Sequence, residues 1–357
     1  MKTTIFLFLS VALTAFFTAC SDWTTQEPLD IVNPSIEDAN SPAYLEYLAN
    51  VRKYKQTYHP LMIGIFDNSD KTFQSRATRI KAVPDKVDIV SLMYPDDLAE
   101  IELEDIASIR KDKGTKIIYT IAYEDLRQYV ETTNFDIEVE NALGQADPNY
   151  VPKPLLSLAT EASKFMDAQL ALIDKYEYDG FILHYTGSAT HFLKDDEIAE
   201  MQAIQDIVFG KALATMNTHP DKTYILEGRP QNVLDKSILP HFDSFLIRTQ
   251  YLGGISDFTL LVKQTLLDPK VPSNSILVCA SAIHTDENDY SWGEITGADG
   301  SLKQNAIVET AYWVKTTDTF TKAGMAVYLI NRDYFNPDLD YKHVREAIEI
   351  MNPSPVN

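Results

Sequence analysis

A (β/α)8 barrel is the fold class that this sequence of 357 residues predicts. Short apolar runs of β character alternate with longer amphipathic stretches of helical pattern. Strands that are apolar along their whole length are typical of a parallel sheet covered on both faces. Eight such units in about 300 residues suit a closed barrel. A doubly wound open sheet is disfavoured, because no glycine-rich phosphate loop follows any of the strands.

The predicted elements follow one another from about residue 41. The eight strands are predicted at Leu61–Phe66, Val87–Met93, Lys116–Ala122, Gly180–Tyr185, Thr223–Leu226, Ser244–Arg248, Ile276–Ala280 and Met325–Ile330. The helical patterns cover Leu98–Asp112, Leu155–Tyr176, Asp195–Asn217, Phe258–Leu267, Ala306–Thr316 and Tyr341–Met351. No glycine-rich linker and no repeat divides the chain, so residues 41–352 are predicted to form one domain, with residues 353–357 as a tail.

The N-terminus is predicted to lie outside the fold. The run Ile5–Phe17 is almost wholly apolar but shorter than the ~20 residues that span a bilayer, so residues 1–19 are expected to be a signal peptide. Small residues before Cys20 resemble a bacterial lipobox, which implies that Cys20 carries lipid; an ordinary signal peptide with a chance cysteine is the alternative. The acidic Asp22 resembles the export context of Bacteroidetes surface lipoproteins. Residues 20–40 are polar and non-periodic, and are expected to be the lipidated cysteine and a tether.

Charge and cysteine content exclude several function classes. The chain has 31 Lys and Arg against 52 Asp and Glu, a formal charge of −21. Nucleic acid is therefore not expected as a partner, because phosphate binding needs a basic surface. The membrane is expected to be contacted only through the lipid anchor. The two cysteines cannot form a disulfide framework, and Cys279 in the seventh strand is interpreted as a small buried hydrophobe.

The fourth strand carries a family resemblance. Residues 178–186 read YDGFILHYT, and Asp179, Gly180 and Phe181 match the opening of D-G-x-D-x-D-x-E, the strand-four pattern of glycoside hydrolase family 18. That family contains chitinases and endo-β-N-acetylglucosaminidases. Weaker similarity to its Bacteroides lipoproteins extends over most of residues 41–352. It includes the pair Gln250 and Tyr251, which resembles a Gln-Tyr pair at the border of the family's sugar site.

The same segment departs from the family at each position that carries chemistry. Ile182 and His184 stand where the family has its second and third Asp, and Thr186 stands where it has the catalytic Glu. Strand alternation places these three residues on one face, which the resemblance implies points into the barrel. The family's mechanism uses the Glu as general acid and an Asp to support the substrate's own acetamido group. No catalytic residue is therefore expected at Asp179, Ile182, His184 or Thr186.

Carboxylates elsewhere offer an alternative. Glu227 ends the fifth strand, where it either pairs with nearby Arg229 or forms part of a relocated catalytic pair. Other candidates at strand ends are Asp67, Asp96, Asp97, Glu124 and Asp125. Histidines are too dispersed for a metal site: His184 has only His191 nearby in sequence. We expect no metal and no cofactor.

Aromatic and polar residues at the strand ends suggest a surface that binds sugars. The predicted ligand-binding residues are Tyr94, Tyr123, Tyr185, Glu227, Gln250, Tyr251, Asn331 and Tyr334. The long polar segment 284–303 holds Trp292, which is expected either to form a sugar platform or to cover the barrel rim.

The sequence thus predicts a lipoprotein anchored to the outer membrane and exposed at the cell surface that binds glycans without cutting them. The resemblance implies a ligand containing N-acetylglucosamine, such as an N-glycan, and as partners an outer-membrane glycan importer and glycosidases. One alternative is an active glycoside hydrolase of the endo-β-N-acetylglucosaminidase or chitinase type that uses relocated carboxylates. Another is a structural or protein-interaction barrel without a sugar site.

Overall fold

Parallel strands close into a barrel in the computed structural model, which describes residues 41–284 and 292–353. The barrel strands are β1 (Leu61–Phe66), β2 (Ile89–Leu92), β3 (Lys116–Ile121), β4 (Gly180–Tyr185), β5 (Thr223–Gly228), β6 (Ser244–Ile247), β7 (Ile276–Ser281) and β10 (Lys322–Tyr328). A hairpin of β8 (Glu294–Ile295) and β9 (Gln304–Asn305) lies in the connection after β7. The barrel closes where β1 pairs with β2 on one side and with β10 on the other. The predicted barrel is confirmed.

Helices connect most of the strands and pack against the outside of the barrel. In the described residues they are α1 (Pro42–Lys55), α2 (Glu100–Lys113), α3 (Tyr123–Gly144), α4 (Leu158–Leu170), α5 (Leu172–Lys175), α6 (Asp195–Thr218), α7 (Ile255–Thr265), α8 (Ala306–Lys315) and α9 (Lys342–Met351). The connections β1–β2 and β5–β6, every residue of which is described, hold short 3-10 turns in place of an α-helix. Within the described residues no helix has the length and apolar character needed to cross a bilayer.

Contacts divide the chain into two compact units, residues 1–46 and 47–357, and the barrel belongs to the second. Of the first unit only residues 41–46 are described, and residues 42–46 form the beginning of α1. The predicted signal peptide, Cys20 and the tether lie outside the described residues, as does most of the tail. These assignments therefore stay predictions.

Two apolar cores hold the barrel together. The larger lies between the sheet and the helices. The smaller fills the barrel interior with side chains that alternate inward along each strand, namely Ile63, Ile65, Ile89, Ile118, Ile182, Ile225, Leu246, Leu277, Cys279 and Ala326. All ten are at most 4% exposed. The interior is thus a packed core, and in folds of this class the functional site lies at the mouth formed by the C-terminal ends of the strands.

Candidate functional site

Asp179 and Gly180, which match the opening of the strand-four pattern, lie at the N-terminal end of β4, at the opposite end of the barrel from the mouth. There they stabilise the fold. Asp179 precedes β4, and its Oδ2 accepts hydrogen bonds from Arg110 Nε at 2.9 Å and from the Ile117 backbone N–H at 2.8 Å. Gly180 has φ +141°, and a Cβ there would lie 1.7 Å from the Thr223 carbonyl oxygen. Only glycine permits β4 and β5 to approach this closely. Asp179 and Gly180 therefore fix the start of β4 and take no part in chemistry at the mouth.

The unmatched half faces inward, as the resemblance implied. Ile182 is fully buried in the interior core. One pleat nearer the mouth, His184 pairs in register with Glu227 on β5. Thr186 is half-buried after the end of β4. The register of the family pattern is thus kept, while an apolar residue, an imidazole and a hydroxyl replace its carboxylates.

Arg248 lies directly after β6 at the mouth and joins three neighbouring side chains. Its Nη1 lies 2.8 Å from His184 Nε2 and 3.0 Å from Glu227 Oε1. Its Nη2 donates to the Tyr251 hydroxyl at 3.3 Å, and the guanidinium lies 5.5 Å from the centre of the Tyr251 ring. We call these four residues the Arg248 cluster. Arg229, the partner that the sequence suggested for Glu227, was the wrong arginine: it is exposed beyond the end of β5, whereas Arg248 follows β6 on the inward face.

The electrostatics of the Arg248 cluster follow from burial. Burial, together with the Arg248 guanidinium, lowers the pKa of His184 to about 4, so the ring is neutral near pH 7. A guanidinium has only donors, so the imidazole nitrogen that faces it accepts the hydrogen bond. Burial raises the pKa of Glu227, and Arg248 acts in the opposite direction. The cluster thus holds one ion pair and a neutral histidine.

His184 is expected to make the folded protein less stable at acid pH. Its pKa is about 4 in the folded protein against 6.5 ordinarily, so the unfolded chain binds the extra proton first as pH falls. This stability is fully present above pH 6.5 and is lost as pH falls toward 4, by at most roughly 3 kcal/mol. We expect His184→Asn to remove that part of the pH dependence, measured as urea unfolding free energies at pH 7 and 4.5. The exposed His191→Asn is the control, and an unchanged slope in His184→Asn would contradict this assignment.

Glu124 and Arg127 brace the rim beside Thr186. One Glu124 oxygen accepts from the backbone N–H of Thr186 at 2.5 Å and of Gly187 at 3.3 Å, and the other pairs with Arg127 at 2.8 Å. Burial opposes ionisation, but these partners outweigh it and lower the pKa of Glu124. A carboxylate held in this way is a poor general acid. Its contacts instead fix the backbone that follows β4.

The predicted ligand residues separate into exposed and buried groups. Tyr251 is 62% exposed and Tyr94 is 50% exposed, so both rings present surface to solvent. Gln250 is buried, and within the described residues its amide has no hydrogen-bond partner. Glu227 is buried in the Arg248 cluster.

Four further residues are held by protein contacts. Tyr123 and Tyr185 are each 2% exposed and stack on one another with ring centres 5.6 Å apart. Tyr185 points away from the mouth because His184 and Thr186 take the inward face of the strand. Asn331 is buried against the Asp67 backbone, and Tyr334 is half-buried against Tyr341. The structure therefore does not bring Tyr123 and Tyr185 to the mouth.

Exposed aromatic side chains lie on several loops that follow the barrel strands. They are Tyr94 after β2, Phe192 after β4, Tyr251 after β6, Trp292 after β7 and Phe335 after β10, with exposures between 45% and 81%. We call this set the aromatic rim. Residues 285–291 of the loop that holds Trp292 lie outside the described residues. Among the described residues, no group of three or more His, Cys, Asp or Glu side chains is placed to hold a metal ion.

Sequence reasoning missed Arg248, Phe192 and Phe335 as site residues. Arg248 could have been found by counting: it lies two residues beyond the inward-facing Leu246 and three before Tyr251. For Phe192 and Phe335 the sequence carries no comparable signal, since exposure on a loop depends on the packing around it.

Comparisons with known proteins agree with the fold. A family model described as glycoside hydrolase family 18, BT1044-like, matches residues 24–350. Among solved structures, a selenomethionine Glu-to-Gln variant of BT1044 is 17% identical, with a TM-score of 0.58 over 89% of this chain and 95% of that one. An endo-β-N-acetylglucosaminidase from Cordyceps militaris is 18% identical, with a TM-score of 0.55 over 86% and 96%. A double mutant of an endo-β-N-acetylglucosaminidase from that organism, 17% identical with a TM-score of 0.53 over 88% and 97%, is in complex with fucosyl-N-acetylglucosamine-Asn. No curated protein matches the chain.

Proposed function

Since the chain belongs to the BT1044-like group of glycoside hydrolase family 18, we propose that it binds glycans at the barrel mouth without hydrolysing them. The observation that carries the proposal is the Arg248 cluster. His184, which stands where the family pattern has an Asp, is a neutral imidazole that faces the Arg248 guanidinium, and that guanidinium also pairs with the buried Glu227.

Hydrolysis of the family type has no support from these side chains. A general acid must place a titrating proton at the leaving oxygen, and the Thr186 hydroxyl is not acidic near neutral pH. The oxazolinium that forms from the acetamido group is positively charged, so a carboxylate beside it stabilises it. The carboxylate of the Arg248 cluster, Glu227, is already paired with the Arg248 guanidinium, so it is not free to stabilise that charge.

Binding is favoured by the aromatic rim. Sugars present apolar faces that pack on aromatic rings, while side-chain donors and acceptors satisfy their hydroxyls. Tyr251 provides an exposed ring on which a sugar can pack, and the hydrogen-bond donors of Arg248 lie directly beside it. A rigid ring loses little entropy on binding, and the bond from Arg248 restrains it further.

The ligand class follows from the family. We infer an oligosaccharide that contains N-acetylglucosamine, such as an N-glycan. The Cordyceps militaris double mutant was solved with fucosyl-N-acetylglucosamine-Asn, a ligand of this chemistry. At the N-terminus, Cys20 is proposed to carry lipid and to anchor the protein to the outer membrane at the cell surface. There it would hold glycan for an outer-membrane importer and partner glycosidases.

Tyr251→Ala is expected to weaken glycan binding about tenfold, since an aromatic platform of this kind contributes roughly 1 kcal/mol or more. Isothermal titration with N,N′-diacetylchitobiose measures the effect on purified residues 21–357. Tyr312→Ala is the matched control, because Tyr312 is 53% exposed on α8 and lies outside the aromatic rim. If Tyr251→Ala binds the disaccharide as tightly as wild type does, the proposed site at Tyr251 is wrong. If wild type releases products from glycans with a chitobiose core, the proposed absence of hydrolysis is wrong.

One observation favours the alternative of an active hydrolase. Burial raises the pKa of Glu227, as a general acid requires. Its Oε1 is engaged by Arg248, however, and the side chain is only 5% exposed. If the wild type proves active, Glu227→Gln must abolish the activity for this alternative to hold.

A further inference from the structure

The second half of α3 has no buried residue. Residues 131–144 continue the helix, and every one of them is at least partly exposed. The chain returns alongside this half, and two asparagines hold the returning backbone. Asn134 pairs with the N–H and carbonyl of Leu156 at 2.7 and 3.0 Å, and Asn141 pairs in the same way with Lys153 at 2.8 and 2.9 Å. These bonds brace the exposed half of α3 in its helical form.

Three large apolar side chains are exposed on this braced half. Phe135, Val139 and Leu143 are 65%, 44% and 75% exposed, and they stand at every fourth position, so they form one row along the helix. At about 100° per residue, the row lies on the side turned away from Asn134 and Asn141. We call these three residues the α3 row. An exposed apolar row on a braced helix is typical of an interaction surface.

Unpaired acidic side chains flank the α3 row. The helical period places Asp136 on one side of the row and Glu138 on the other, and neither has an ion-pair partner in the part of the chain that the structure describes. Arg127 and Lys153, the basic side chains of this region, are each already paired with glutamates. Carboxylates on both sides of an apolar row complement a partner whose own apolar stripe is flanked by Lys or Arg.

A cavity continues this surface toward the N-terminal end of α3. Its volume is 310 Å³, and its apolar lining includes Leu158, Met201 and Ile204. Four further lining residues are glutamates and one is an arginine, so the balance of charge is negative. Glu131 belongs to this lining, and Phe135 stands one turn farther along the helix. A long basic side chain suits the cavity, because its methylene stem packs on apolar surface while its charge meets the carboxylates.

Charge argues against an occupant supplied by this chain. The segments 20–40, 285–291 and 354–357, which lie outside the described residues, contain no Lys and no Arg. A second copy that docked through the same surface would bring carboxylates against carboxylates, which costs affinity. An anionic membrane surface is disfavoured for the same reason. The complementary occupant is therefore a different protein with a basic surface.

We propose that the α3 row and the adjoining cavity dock an amphipathic basic helix of a different protein. Its apolar side chains pack on the α3 row, its Lys or Arg side chains pair with Asp136 and Glu138, and one of them enters the cavity. Residues four apart form the ridge against which a second helix packs. No sugar takes part in this contact, so it stands or falls separately from glycan binding.

The test uses two synthetic amphipathic peptides of about 20 residues, a length at which an alanine-rich peptide is helical in water. Both carry leucines along one face. One peptide has lysines on the flanks of that face, and the other has glutamates there. Fluorescence anisotropy measures their binding to purified residues 21–357. Wild type is expected to bind the lysine peptide, more weakly as the salt concentration rises, and not to bind the glutamate peptide.

Two variants of α3 separate the apolar and the charged contributions. Phe135→Gln/Val139→Gln/Leu143→Gln removes the α3 row while keeping good helix formers, and it is expected to bind the lysine peptide at least about tenfold more weakly. Asp136→Asn/Glu138→Gln is expected to weaken binding about threefold and to reduce its dependence on salt. Far-UV circular dichroism of each variant checks that the helices are retained.

Matched controls change the same kinds of residue on other helices. Leu260→Gln/Tyr312→Gln alters side chains that are 58% and 53% exposed on α7 and α8. Glu104→Gln/Glu346→Gln removes two exposed charges from α2 and α9. Both control variants are expected to bind the lysine peptide as wild type does, which distinguishes a docking surface from general attraction to an acidic protein.

The proposal is overturned if wild type does not bind the lysine peptide, if it binds both peptides equally, or if the control variants weaken binding as much as the glutamine variant of the α3 row does. Sedimentation equilibrium and vesicle flotation test the other occupants. A dimer, or binding to vesicles of phosphatidylcholine and phosphatidylglycerol, that the same variant abolishes would assign the row to a second copy or to lipid instead. Addition of N,N′-diacetylchitobiose is expected to leave the peptide affinity unchanged.

Discussion

The Ile182→Asp variant is expected to lose about 4–5 kcal/mol of unfolding free energy at pH 7. Ile182 is fully buried within the interior core, among apolar side chains from the other strands. The side chains that cluster with Ile182 are apolar. A carboxylate at this position would therefore lose good packing and introduce a buried charge without a cationic partner among them. Urea unfolding followed by circular dichroism measures the loss.

Two further substitutions separate the causes of that loss. Ile182→Val removes one methylene and is expected to cost about 1 kcal/mol. Ile182→Asn has nearly the shape of the Ile182→Asp variant but never ionises, so the stabilities of the two should converge as pH falls and the introduced carboxylate takes up a proton. An Ile182→Asp variant as stable as Ile182→Val would show that the interior tolerates charge, and would contradict this account.

The same cost explains why substituting the family's acidic residues into strand four is not expected to produce hydrolysis. The family pattern places an acidic side chain at each of positions 182, 184 and 186. In this chain the first position is apolar core and the second contacts the Arg248 guanidinium. The surroundings have adapted to the present residues, so new carboxylates would lack the support that holds catalytic groups in place. We therefore expect no useful hydrolysis from such a variant.

The fold was predictable because apolar strand runs depend on local sequence. Leu61–Phe66 and Gly180–Tyr185 have the predicted limits, and the other strands differ by a few residues at their ends. The helix α3 was not predicted. Of its 22 residues only Tyr123, Glu124 and Val130 are buried, so it presents no broad apolar stripe for a periodicity to reveal.

The site was predictable only in part, because it depends on contacts between strands distant in sequence. Alternation placed Ile182, His184 and Thr186 on one face of β4, and the resemblance implied that this face points inward and drew attention to Tyr251. The pairing of Glu227 on β5 with Arg248, directly after β6, joins residues from different elements, and the sequence instead suggested the neighbour Arg229. The burial of Tyr185 arises from packing against α6, which provides Gln205 as partner for its hydroxyl. No local pattern encodes that contact.

Arg248→Met is expected to cost about 3–5 kcal/mol of unfolding free energy at pH 7, because it leaves Glu227 buried without its counter-ion. The Glu227 side chain is 5% exposed and that of Arg248 is 28% exposed. Glu227→Gln leaves the Arg248 cation unpaired but partly hydrated. Arg248→Met leaves the Glu227 carboxylate unpaired and almost wholly shielded from water. Glu227→Gln should therefore cost less than Arg248→Met, as urea unfolding at matched pH would measure.

The pH dependence of Arg248→Met identifies the stranded charge. Burial already raises the pKa of Glu227, and loss of the guanidinium raises it further. A carboxyl with a raised pKa in the folded state destabilises above that pKa, and the cost disappears as pH falls toward the unfolded value of about 4.3. The loss in Arg248→Met should shrink accordingly on acidification. The double variant Glu227→Gln/Arg248→Met should regain most of the stability at pH 7, since it holds no buried charge at this position. If the double variant is no more stable than Arg248→Met, the ion pair is not what the arginine contributes, and packing against Tyr251 must account for the loss.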